Sequence, residues 1–89
     1  MYVIAAYDVD KKRDGKYLRL FKKYLFHVQN SLFLGELTQS EFNSLQKNIN
    51  RLNNESDKLL LITVPKKTYL SILDYNSQDL YFVSWNSFF

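Results

Sequence analysis

The chain has 89 residues, no cysteine and one histidine, which excludes a disulfide framework, a thiolate metal site, a cysteine nucleophile and a His-rich zinc site. One domain spanning 1–89 is expected; a domain of this length buries only roughly 60 to 65% of its unfolded surface, and with 17% aromatic residues it carries more apolar area than so small a core hides, which points to a partner copy. The net charge of +3 is unevenly placed, because residues 11–23 hold Lys11, Lys12, Arg13, Lys16, Arg19, Lys22 and Lys23 against Asp14 alone.

The chain starts without a basic segment followed by an apolar one, and its apolar runs fall far short of the ~20 residues that span a bilayer, so a cytoplasmic protein without a membrane segment is expected. Tyr2-Val3-Ile4-Ala5-Ala6-Tyr7 is an uninterrupted apolar and aromatic run that meets Asp8. This is the pattern of a buried strand delivering one carboxylate to the rim of a sheet. Asp10 to Arg13 reads as a loop, and Asp14 as the N-cap of a helix running to about Phe26. Tyr17, Leu18, Phe21, Tyr24 and Leu25 give that helix a core face. Lys16, Arg19 and Lys23 form a basic stripe on another, which fits either a solvated face or a polyanion-binding one.

Residues 28–37 read as one strand, or as two short strands with a tight bend, in which Gly35 marks a bulge or a close backbone approach. Thr38-Gln39-Ser40-Glu41 is a capping box that opens a second helix. Phe42, Leu45, Ile49 and Leu52 form its apolar seam, and Asn53-Asn54 ends it. Residues 59–64 have the continuous apolar character of a central strand and stop at Pro65. A weaker strand pattern follows at 69–73, and a last strand at 80–85. The element order fits an α+β, ferredoxin-like sandwich, with two helices covering one face of an antiparallel sheet.

Chemistry is constrained by what is missing. His27 stands in no nucleophilic triad pattern, there is no phosphate-cradling glycine loop, and residues 59–64 lack the aromatic signature of an RNA-recognition motif. Asp8 remains, with Asp10 two residues on. As oxygen donors they suit a hard cation such as Mg²⁺ or Mn²⁺; as residues after a strand they suit a turn equally well.

The segments Tyr7-Asp8-Val9, the basic cluster ending in Arg13, and Val28-Gln29-Asn30-Ser31-Leu32-Phe33-Leu34-Gly35-Glu36-Leu37-Thr38 resemble the Cas two family of small CRISPR-associated proteins. The resemblance is specific over about the first 40 residues. His27 and Leu34 depart from it, standing where members often carry a basic and an acidic residue.

The resemblance implies a ferredoxin-like homodimer whose two Asp8 carboxylates face each other across a two-fold axis and hold one divalent metal, with the C-terminal strand packing on the partner. It further implies Mg²⁺- or Mn²⁺-dependent cleavage of single-stranded RNA or duplex DNA, and partnership with the integrase that inserts spacers into a CRISPR array. Asp8 is then the metal ligand and catalytic residue; Tyr7 and Ser31 are candidates to line the site, and Phe33 to position it. Lys11, Lys12, Arg13, Lys16 and Arg19 are candidates to contact nucleic-acid phosphates. Two other readings stay open, a non-catalytic DNA-binding scaffold of the integration complex and a related toxin-type ribonuclease.

Overall fold

In a computed structural model of the chain, residues 1–65 are described; the strands expected at 69–73 and 80–85, and the packing expected of the last of them, lie outside the described residues. The element order is β1 (Tyr2–Asp8), α1 (Lys11–Lys22), β2 (Phe26–Gln29), β3 (Leu32–Glu36), α2 (Gln39–Leu52) and β4 (Lys58–Val64). The four strands form one antiparallel sheet in the order β2-β3-β1-β4, with both helices on one face. The expected α+β sandwich is the architecture found.

Strand alternation explains where the core sits. Val3, Ala5 and Tyr7 of β1 point to the helical side and are buried with Phe33 of β3, Tyr17 and Phe21 of α1, and Leu45 and Ile49 of α2. The Tyr7 ring lies 5.7 Å from Phe21 and 6.0 Å from Phe33, so three aromatic rings tie β1, α1 and β3 together. Gly35 sits where an added Cβ would stand 3.1 Å from Leu25 Cδ2 and 3.5 Å from Leu25 Cα. The expected close backbone approach is therefore real, and the bulge lies instead on β2, between His27 and Gln29.

α2 follows its sequence pattern: the Glu41 amide donates to Thr38 Oγ1 (3.1 Å), and the Thr38 amide donates to Glu41 Oε1 (2.9 Å). Helix α1 departs from it. Its N-cap is Asp10, whose carboxylate accepts from the Lys12 amide, so the helix begins at Lys11 and Asp14 lies within its first turn. It also ends at Lys22 rather than near Phe26, because Phe26 pairs with Leu34 in the β2–β3 hairpin. The two-short-strands alternative for 28–37 is the one observed, and Asn30 makes the bend with a φ of 42°, a conformation asparagine adopts more readily than most residues.

β4 lies at the edge of the sheet among the described residues, not at its centre. Its unbroken apolar run has another cause: Leu59 and Leu61 pack on the core, while Leu60 and Ile62 point to the face the helices do not cover.

Candidate functional site

Asp8 is the last residue of β1 and is exposed. Alternation places it with Tyr2, Ile4 and Ala6 on the side of the sheet opposite the helices. The residues directly across from these, Leu32, Leu34 and Glu36 on β3 and Lys58, Leu60, Ile62 and Val64 on β4, belong to the same side. Phe26, Leu60 and Ile62 are 52%, 58% and 44% exposed, so Asp8 stands at the rim of an open apolar sheet face. An open depression of about 210 Å³ at this rim is lined by Ala6, Tyr7, Asp8, Lys58, Leu59 and Leu60.

The neighbouring carboxylate, Asp10, caps α1, accepting from the Lys12 amide at 3.3 Å. No group of three His, Cys, Asp or Glu side chains that could hold a metal occurs among the described residues. The donor chemistry at Asp8 suits a hard divalent cation, and a single chain offers one carboxylate there, the fewest with which such an ion is held beside water and substrate phosphate.

The other candidates spread over several places. Tyr7 borders the depression, yet its ring is buried beneath α1, on the other side of the strand from Asp8. Phe33 is likewise fully buried on the helical side. Ser31 lies at the same end of the sheet as Asp8, its carbonyl accepting from the Tyr7 amide at 3.3 Å. Lys11, Lys12, Lys16 and Arg19 are exposed on α1, in the helical layer. Arg13 is turned inward: its Nε and Nη2 donate to the Asp57 carboxylate, and Nη2 also donates to the Leu52 carbonyl.

Asp57 is a residue the sequence did not single out. Its side chain is 1% exposed and also accepts from the Tyr17 hydroxyl (2.6 Å) and the Asn54 amide (3.0 Å). These bonds, Arg13 foremost, hold its carboxyl down at about 2 against the desolvation that opposes them. The cluster pins the loop between α2 and β4 to the start of α1. The Tyr7 hydroxyl is the reverse case: burial first, then the charge and hydrogen-bonding pull of the nearby Asp14 carboxylate, push it up to about 12, although no partner meets full hydrogen-bond geometry with it.

Residues 1–72 match the profile of the family described as CRISPR associated protein Cas2. The chain belongs to the Cas2 family. A Cas2 protein of Dictyoglomus turgidum, named a CRISPR-associated endoribonuclease, is 37% identical over 71 residues, covering 80% of this chain and 82% of its own. One of Thermotoga maritima with the same name is 44% identical over 57 residues, covering 64% of this chain and 66% of its own. Among solved structures, a Cas2 crystal structure matches with a TM-score of 0.77 at 35% identity, over 89% of this chain and 92% of the other. Streptococcus pyogenes Cas2 matches with a TM-score of 0.69 at 25% identity, over 83% of this chain and all of the other. No helix among the described residues of this Cas2-family chain is long and apolar enough to cross a membrane.

Proposed function

We propose that this chain is a metal-dependent endonuclease of CRISPR adaptation, active as a homodimer in which two copies bring their Asp8 carboxylates together at a Mg²⁺ or Mn²⁺ ion. The observation that carries the reading is the position of Asp8 at the rim of an apolar sheet face that the helices leave open. A two-fold axis through such a face duplicates any residue near it and turns one carboxylate into two. Covering Leu60, Ile62 and Phe26 supplies the driving force for pairing.

When bound, a hard divalent cation supplies a water of lowered pKa and neutralises charge on a phosphate oxygen. The chain's own part is to hold the two carboxylates at a fixed rim, backed by the β1–β4 ladder and the aromatic packing of Tyr7. RNA comes forward as a substrate because the relatives from D. turgidum and T. maritima are named endoribonucleases. Asp8→Asn tests the assignment. Loss of Mg²⁺- or Mn²⁺-dependent cleavage in a folded variant supports it, and undiminished cleavage rules Asp8 out.

The exposed lysines of α1 favour a second reading. They lie exposed on α1 in the helical layer, where they can track phosphates without any cleavage. On that reading the dimer is a scaffold that holds DNA for the spacer integrase. An Asp8→Asn chain that binds duplex DNA and supports spacer acquisition would favour it.

A further inference from the structure

The basic residue closest in register to Asp8 is on β4, not on α1. Lys58 is paired directly with Asp8 in the antiparallel β1–β4 ladder, lines the same depression and is exposed. Directly opposed residues hold their Cβ atoms about 4.5–5.5 Å apart on one face of the sheet, so the Lys58 ammonium and the Asp8 carboxylate serve the same volume of solvent. They do not consume each other: the ion pair found among the described residues is Arg13 with Asp57.

The backbone position of Lys58 is fixed from both sides. Asp57, immediately before it, is clasped by Arg13, Tyr17 and the Asn54 amide, and its own amide donates to the Asn54 carbonyl at 3.0 Å. Leu59, immediately after, pairs with Tyr7 and packs on the core. A cation on an anchored backbone, beside a carboxylate and open to solvent, is built to receive a group that is anionic on one side and metal-seeking on the other. A phosphodiester has that chemistry, and a lysine ammonium meets it as a point charge.

We infer that Lys58 is a phosphate-contacting residue of the Asp8 site, binding the nucleic-acid phosphodiester next to the position a metal would take. This rests on the proposed nucleic-acid function and assigns the charge nearest the reacting phosphate to β4.

The test is salt-titrated binding of a labelled single-stranded RNA and a labelled DNA duplex, with chelator present to prevent cleavage. Wild type, Lys58→Gln, Lys58→Arg and Lys47→Gln are compared, Lys47 being an exposed lysine of α2 whose loss removes the same charge from the helical layer. On whichever nucleic acid binds, Lys58→Gln is expected to weaken affinity roughly 3- to 10-fold. It should flatten the slope of log affinity against log salt by about 0.7 for a single strand or about 0.9 for a duplex, and Lys58→Arg should restore the slope. If wild type binds and Lys58→Gln matches it, or Lys47→Gln loses as much, the assignment of Lys58 is overturned and the function stands. If wild type binds neither probe, the function is overturned and Lys58 with it.

Discussion

Arg13 Nε lies 3.0 and 3.1 Å from the two carboxylate oxygens of Asp57, and Nη2 lies 3.0 Å from Oδ2, joining the first turn of α1 to the residue that precedes β4 across 44 positions of sequence. Because the Asp57 carboxyl is held below its ordinary 3.8, at about 2, its contribution to stability is present above pH ~3.8 and is lost as pH falls toward 2. Thermal melts of the wild type are expected to drop steeply through that window. Asp57→Asn should melt lower at neutral pH and fall less steeply below pH 4. Parallel curves would show that the clasp does not couple to folding.

Tyr7→Phe removes a hydroxyl that is buried without an acceptor, so it should leave the fold as stable as before or stabilise it by up to about 1 kcal/mol. The raised pKa has its own signature. With the folded value near 12 and an ordinary value of 10.0, stability is complete below pH 10 and declines as pH rises through 12. Urea denaturation at pH 8 and pH 11 checks both points. Retained cleavage in this variant would show that the Tyr7 hydroxyl takes no part in the chemistry.

Leu60→Glu combined with Ile62→Glu puts two carboxylates on the open sheet face without touching the core. The proposed dimer is expected to weaken at least roughly 30-fold, the cost of losing one interfacial hot spot, and the proposed metal-dependent cleavage to fall with it. Sedimentation velocity over a concentration series gives the readout. A variant as dimeric as wild type would place the interface elsewhere.

Thr38→Ala deletes the side-chain half of the α2 capping box and should cost about 1 kcal/mol, read as a lower urea midpoint at unchanged slope.

What the sequence revealed was mostly local. Thr38 and Glu41 are three residues apart, and Phe42, Leu45, Ile49 and Leu52 need only a helical period, so α2 could be read directly. The start of α1 could not, because Asp10 and Asp14 are both acceptable caps, and only the Lys12 amide decides between them. The apolar run 59–64 was legible as a strand, but its place in the sheet was not. An edge strand with one face on the core and the other on an open surface has the same hydrophobic profile as a central strand. Asp8 was legible because a carboxylate ends an apolar run. Asp57 and Lys58 were not, since Asp57 sits in a polar stretch that reads as a solvated connection, and Lys58 acquires its meaning only from the β1–β4 register. Tyr7 was legible as a neighbour of Asp8, and it borders the same depression, but only strand alternation shows that its ring packs on the opposite face.

In the proposed dimer one chain carries half of a metal site, and Asp8 of the second copy completes it across a two-fold axis. Calorimetric titration of the purified dimer with Mn²⁺ tests this directly. One ion per two chains is expected, with no binding to a folded, dimeric Asp8→Asn variant; one ion per chain, or binding that survives Asp8→Asn, would rule the shared site out.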